Sequence, residues 1–213
     1  MQIAAEFITS VASASGLPRD GLSELAMVGR SNVGKSTLIN ALVRQKIART
    51  SAEPGKTRLA NFYRVRRGTS PPMYLVDLPG YGYARRASGT EVRGAAAIEF
   101  AKLTDAFFDQ GRGGRNPDGT TGTKAIGVLL LVDSRHPGLE SDLDAWAWLS
   151  STGRPCRVVG TKADKLSRAE KVRHGRELES LFDGPVPLVS ASTGEGMDEL
   201  WTLIARLPKP TAG

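Results

Sequence analysis

Short apolar runs alternate along the chain with longer amphipathic stretches, the pattern of strands and helices taking turns. Continuous runs such as Leu25-Ala-Met-Val28 and Met73-Tyr-Leu-Val76 suit strands buried on both faces. Strands are predicted near 23–28, 58–66, 72–77, 125–133, 156–160 and 186–190, and helices near 35–45, 91–109, 139–150, 168–182 and 197–206. In the first helix Leu38, Ile39 and Leu42 form one apolar face. No helix separates the second and third strands, so that pair should be an antiparallel hairpin, while strands joined by helical crossovers should run parallel. The expected fold class is α/β: three layers, α/β/α, around a mostly parallel six-stranded sheet with one antiparallel strand. At 213 residues and 40% hydrophobic content, a single domain over 1–213 has enough apolar surface for a full core. Residues 1–20 should add an arm or extra strand, centred on Ala5 to Ser13, and 208–213 should be a frayed tail.

Composition narrows the setting. The first basic residue is Arg19 and Glu6 interrupts the only apolar start, which argues against an export signal. No stretch has the apolar length needed to span a bilayer, so no membrane partner is expected. The one cysteine, Cys156, sits in a predicted strand and suits a buried thiol in a reducing compartment, hence the cytoplasm. Net charge is +7, and 20 of the 29 basic residues are arginine. Arg64, Arg66, Arg67, Arg85, Arg86, Arg112 and Arg115 fall in or beside loops and a hairpin. Guanidinium groups pair bidentately with phosphate and stack on bases, so an RNA-facing surface is one reading; a solubilising face is the other. No RNA-binding motif of known type is present, no DNA partner is expected, and a monomer is expected.

Four segments carry chemistry. Gly29-Arg-Ser-Asn-Val-Gly-Lys-Ser36 fits G-x-x-x-x-G-K-[ST] without mismatch, between an apolar strand and a helix, the context this phosphate-binding loop requires. Gly29 and Gly34 would let backbone N–H groups crowd phosphate oxygens, with the helix N-terminus adding its dipole. The binding set there is Gly29, Arg30, Ser31, Asn32, Val33, Gly34, Lys35, Ser36 and Thr37. Lys35 should reach β- and γ-phosphates and the Ser36 hydroxyl should ligate Mg²⁺. Next, Asp77, Leu78, Pro79 and Gly80 end a strand 42 residues after Lys35. Asp77 suits Mg²⁺, and Gly80 could bring an N–H to the γ-phosphate where a side chain would clash. Alone, such a segment is an ordinary turn. Between the two lies a loop with Pro54, Gly55, Lys56 and Thr57. A threonine just before a strand can close on Mg²⁺ and the γ-phosphate as a switch does; Thr57 fits better than Thr50 or Ser51. Lys35, Thr57 and Gly80 are thus the candidate catalytic groups, and Ser36, Thr57 and Asp77 the candidate metal ligands.

The third segment, Thr161, Lys162, Ala163 and Asp164, selects the base. Guanine offers N1–H and a 2-amino group to one carboxylate, whereas adenine presents an acceptor at N1. A carboxylate facing that acceptor is strongly penalised, so Asp164 should read guanine. The Lys162 stem can lie across the purine face. Where this motif commonly begins with Asn the chain has Thr161, which should weaken a strand-to-loop tie. The fourth segment, Ser190, Ala191 and Ser192, follows Asp164 by 26 residues and would offer a backbone N–H to guanine O6.

Together with Asp77-Leu-Pro-Gly-Tyr-Gly-Tyr-Ala84 and Asp133-Ser-Arg-His136, these strings resemble the EngB (YihA/YsxC-type) family of bacterial GTP-binding proteins, within the TRAFAC-class P-loop GTPases. The resemblance runs from about Phe7 to Leu203. It implies a Ras-like P-loop fold, binding of GTP and GDP with Mg²⁺, and hydrolysis of GTP. It also implies a role in ribosome biogenesis at the large ribosomal subunit or its precursor, through rRNA and ribosomal proteins, with a link to the cell cycle, cell division and septation. The Gly/Arg-rich loop at 110–123 is longer than the family leads one to expect.

Where many GTPases hold a water-orienting glutamine after the Asp-x-x-Gly glycine, this chain has Tyr81. Slow intrinsic turnover is therefore expected. Either K⁺ held by Asn32 or a ribosomal partner would stimulate it; a plain turn residue is the competing reading of Asn32. A nucleotide-sensing ribosome- or RNA-binding module with incidental hydrolysis is the alternative function. His136 is expected to pack in its loop or face a partner, a catalytic role being the lesser reading, His174 to be solvated, and Trp201 to lie in the core, while Trp146 and Trp148 flank opposite sides of one helix.

Overall fold

The structure is a computed structural model that describes residues 2–18, 20–49, 59–80, 107–108 and 126–207. Its sheet contains β1 (Ile3–Val11), β2 (Ser23–Gly29), β3 (Ala60–Arg67), β4 (Met73–Asp77), β5 (Ile126–Asp133) and β6 (Cys156–Thr161), ordered β1-β3-β4-β2-β5-β6. β2 pairs in parallel with β4 and β5, and β5 with β6. β3 alone runs against the others, antiparallel to both β1 and β4. The β3–β4 connection is too short for a crossover, which forces the hairpin.

Four described helices cover the sheet: α1 (Lys35–Val43), α2 (Glu140–Ser151), α3 (Arg168–Leu181) and α4 (Met197–Ala205). Side chains alternate across each strand, so every central strand feeds two cores. Ala26 and Val28 of β2 join Val128, Leu130 and Val132 of β5 under Leu149 of α2 and Leu178 of α3. Leu25, Met27, Leu129 and Leu131 face the other way, under Leu38, Ile39 and Leu42 of α1 and Trp201 and Ile204 of α4. Each buried Val, Leu, Ile or Met side chain among them contributes roughly 1.5–3 kcal/mol, which pins the register of the central strands. α3 starts with a capping box in which Ser167 and Glu170 satisfy each other's backbone N–H groups. Among the described residues no helix is long and apolar enough to cross a membrane.

The strand expected at 186–190 shrinks to one bridge, Gly160 with Leu188. Val189 N–H donates to Gly160 O at 2.7 Å and Gly160 N–H to Pro187 O at 2.9 Å. Pro185 and Pro187 have no N–H to continue the ladder. The sheet reaches six strands through β1 instead. Of the helix expected at 91–109, only Phe107 and Phe108 lie within the described residues; both are helical and buried.

Because β2, β4, β5 and β6 share one direction, their C-terminal ends meet at one edge of the sheet. The chain order reverses at β2, with β4 on one side and β5 on the other. Open α/β sheets bind ligands at such a reversal, beyond the strand ends.

Candidate functional site

Beyond β2 the chain turns through residues 30–34 and enters α1 from Gly34, whose φ of 107° only glycine adopts readily. Asn32 is also left-handed, at φ 64°, and its side chain is exposed. Lys35 folds back inside this turn, its Nζ donating to Gly29 O at 3.0 Å and Arg30 O at 3.2 Å. Burial lowers the Lys35 pKa, with the Asp77 carboxylate opposing the shift. Gly29 is tightly packed: a Cβ there would meet Leu131 O and Val33 Cγ1, each at 2.8 Å. The Arg30 side chain leaves the turn for α2, where Nε lies 3.1 Å from Asp142 Oδ1. Thr37 is exposed on α1, and Leu78 and Pro79 are buried.

Asp77 closes β4 beside this turn. Ser36 Oγ donates to Asp77 Oδ2 at 2.6 Å, while Oδ1 is buried with no hydrogen-bond partner among the described residues. Burial raises the Asp77 pKa, and Lys35 and the Ser36 hydrogen bond pull the other way. A lone carboxylate oxygen next to a hydroxyl is a hard donor pair, so these residues fit Mg²⁺. Gly80 is pressed against the turn: a Cβ would sit 2.7 Å from Ser31 N and 2.9 Å from Ser31 Cα. A side chain at Gly80 would therefore clash with the phosphate-binding loop. Pro54, Gly55, Lys56, Thr57 and Tyr81 lie outside the described residues, as do Thr50, Ser51, the 110–123 loop and Arg85, Arg86, Arg112 and Arg115.

β6 delivers the segment expected to read the base to the same edge. Thr161 Oγ1 donates to Val33 O at 2.8 Å and Val132 O lies 3.1 Å away, so the hydroxyl joins β6 to the first turn. Lys162, left-handed at φ 61°, sends Nζ to Asn32 O at 2.7 Å and to Asp133 Oδ2 at 3.0 Å. Consecutive carbonyls, Asn32 and Val33, thus accept from consecutive side chains, Lys162 and Thr161. Ala163 is buried, with its N–H on Val189 O at 3.0 Å. Asp164 stays accessible, and its Oδ1 accepts from Ser190 Oγ at 2.7 Å while Lys165 Nζ lies 3.3 Å from Oδ2. The Ser190 bond is the main cause of a lowered Asp164 pKa, so the carboxylate is ionised. Ser190 is 0% exposed, Ser192 Oγ sits 3.0 Å from its hydroxyl, and Thr193 N–H donates to it at 3.2 Å. Ala191 is half-buried beside them.

The sequence reading missed two side-chain roles: the Ser190 hydroxyl as holder of Asp164, and Asp133 with Arg135 beside Lys162. Asp133-Ser-Arg-His136 stood out as a string, but spacing alone does not reveal which charged group faces which. His174 is not simply solvated; its Nδ1 donates to Ser134 O at 2.8 Å. His136 is exposed and Trp201 is in the core, its Nε1 donating to Leu42 O at 3.1 Å. Two hairpin arginines already have partners: Arg64 binds Glu6, and Arg67 lies 3.6 Å from Asp198 and over the Trp201 ring.

A family model described as 50S ribosome-binding GTPase matches residues 24–162. The probable GTP-binding protein EngB of Chlorobaculum tepidum is 42% identical over 199 residues, covering 92% of this chain and 93% of that protein. Its counterpart in Symbiobacterium thermophilum is 39% identical over 96% of this chain and 95% of its own length. A crystal structure of a probable GTP-binding protein engB superimposes with a TM-score of 0.57 at 22% identity, over 86% of this chain and 97% of that one. An Aquifex aeolicus Era variant bound to GDP and aluminium fluoride gives 0.68 at 21% identity, over 88% of this chain and 57% of that one. At these identities the solved structures speak for the Ras-like fold, and the sequence relatives for the family. With its phosphate-binding turn, Asp77 and Asp164 gathered at one edge of that fold, the chain belongs to the EngB family of P-loop GTPases.

Proposed function

We propose that this chain binds GTP and GDP across the turn at 29–36 and the segment at 161–164, hydrolyses GTP, and uses that cycle as a switch in assembly of the large ribosomal subunit. One observation carries the nucleotide reading: Thr161 and Lys162 are bonded to the carbonyls of Val33 and Asn32, so the segment holding Asp164 is tied directly to the phosphate-binding turn. Asp164, ionised and steadied by Ser190, accepts guanine N1–H and the 2-amino group; adenine would place an acceptor against it. The N–H groups around Gly34 and Lys35 receive the phosphates. Ser36 and Asp77, with Thr57, would hold Mg²⁺, and a bound Mg²⁺ would neutralise charge on the phosphate oxygens. Lys35 binds the β- and γ-phosphates, and Gly80 brings its N–H against the γ-phosphate.

Tyr81 supplies no carboxamide to orient water, so turnover is slow until K⁺ at Asn32 or a ribosomal particle completes the site. The description of the matching family as 50S ribosome-binding supports the large subunit as partner, in the cytoplasm, with the link to cell division resting on the family resemblance. Competition among GTP, GDP and ATP for the purified protein tests the pocket: the guanine nucleotides must win, and parity with ATP would overturn it. Asp164→Asn should move preference toward xanthosine nucleotides, whose 2-oxo group accepts from an amide. Turnover in K⁺, in Na⁺ and with large-subunit particles tests the switch; fast, unstimulated rates in Na⁺ would refute it. Rates that no particle raises would favour a nucleotide-sensing module with incidental hydrolysis.

A further inference from the structure

β5 ends at the nucleotide edge in Asp133-Ser-Arg-His136, and its carboxylate is 3% exposed. Four hydrogen bonds converge on it. Oδ1 accepts from Arg135 N at 3.1 Å and Arg135 Nε at 2.9 Å; Oδ2 accepts from Arg135 Nη2 at 2.7 Å and Lys162 Nζ at 3.0 Å. Asp133 therefore has no face left for a ligand, but it grips a residue that has one. The Lys162 ammonium is clamped between Asp133 and Asn32 O, with its backbone in the left-handed region. A free lysine stem samples many rotamers, and fixing both ends removes that freedom before a ligand arrives. With the Arg135 side chain 39% and the Lys162 side chain 29% exposed, these ion pairs add little net stability, so fold stability gives no sufficient reason for them.

We propose that Asp133, locked by Arg135, is a positioning residue for guanine-nucleotide binding: it holds the Lys162 ammonium so that the methylene stem is presented taut as a platform for the purine face. This rests on the nucleotide reading above. Burial alone would raise the Asp133 pKa, but the bonds from Arg135 and Lys162 outweigh it and keep the carboxylate ionised, so the grip persists across the physiological range. Because the platform touches the ring face, losing it weakens every purine alike. Losing Asp164 instead would erase the preference for a 2-amino group.

The test measures dissociation constants for GDP and IDP with wild type, Asp133→Asn, Lys162→Met and the double variant, alongside thermal unfolding of each without nucleotide. Asp133→Asn is expected to weaken both ligands about tenfold, with the IDP/GDP ratio unchanged. In the Lys162→Met background the same substitution should add less than about twofold, because its target is gone. Independent, multiplying losses, a collapsed ratio, or wild-type affinity in Asp133→Asn would each overturn the inference while leaving the pocket intact. A wild type that binds no guanine nucleotide overturns the pocket and this inference with it. Should Asp133→Asn fail to fold, Asp133→Glu, which keeps the charge one methylene out of place, enters the same cycle with the same expected ratio and coupling.

Discussion

If Asp164 discriminates bases, its carboxylate must be aimed, and a buried hydroxyl holds it. Ser190 is fully buried and gives its proton to Asp164 Oδ1 while its oxygen takes Thr193 N–H. Ser190→Ala should therefore weaken GDP about tenfold, the scale of one hydrogen bond to a charged group, and calorimetric titration reads that directly. Unchanged GDP affinity would mean that the loop backbone alone aims Asp164. Cys156 tests the core at the same scale. Burial pushes its thiol up to about 12, so the native protein should resist thiol reagents at pH 8 that label an unfolded cysteine titrating near ~8.5. The sign for stability follows. The folded pKa is raised, so the thiol's contribution is complete below about 8.5, where both states are protonated, and is lost as pH climbs from there toward 12. Cys156→Ala should flatten part of that alkaline decline in denaturant midpoints.

Elements succeed or fail here by how closely backbones approach. Gly80 lets the end of β4 lie on the phosphate-binding turn, and a methyl group there would meet backbone atoms of Ser31 at 2.7 and 2.9 Å, which cannot swing aside as a side chain would. Gly80→Ala should push the two segments apart and lower GTP turnover at least tenfold while GDP affinity changes less, a contrast that single-turnover and binding assays separate. The start of α3 offers a milder case. Ser167→Ala removes one half of a capping box and should cost about 1 kcal/mol in denaturant unfolding. These cases also explain what the sequence disclosed. The motif turns were legible because phosphate and base chemistry restricts residue type at fixed spacing. The central strands were legible because burial on both faces leaves unbroken apolar runs. The segment at 186–190 reads as apolar too, but pairing depends on donors that Pro185 and Pro187 lack. The roles of Gly29, Ser190 and Asp133 were hidden because each depends on a neighbour more than 25 residues away, or on a contact that spacing does not encode.

At the scale of the molecule, the site works only if both helical layers hold the strand ends level. The layer of α1 and α4 depends on Trp201, which packs with Leu38, Leu42 and Ile204, donates Nε1–H to Leu42 O at the end of α1, and lies under the Arg67 guanidinium of β3. One side chain thus joins α4, α1 and the antiparallel strand. Removing it leaves a cavity and an acceptor without its donor at the end of α1, the helix that begins at Lys35. Trp201→Ala should cost about 3–5 kcal/mol, and Trp201→Phe, which fills most of the volume but cannot donate, about 1–2 kcal/mol. Denaturant unfolding without nucleotide measures both. If the layer's packing, rather than the hydrogen bond, keeps α1 in place, Trp201→Phe will bind GDP as the wild type does despite its lower midpoint. Should that variant lose GDP affinity in step with stability, the Trp201–Leu42 bond is what seats the helix under the phosphates.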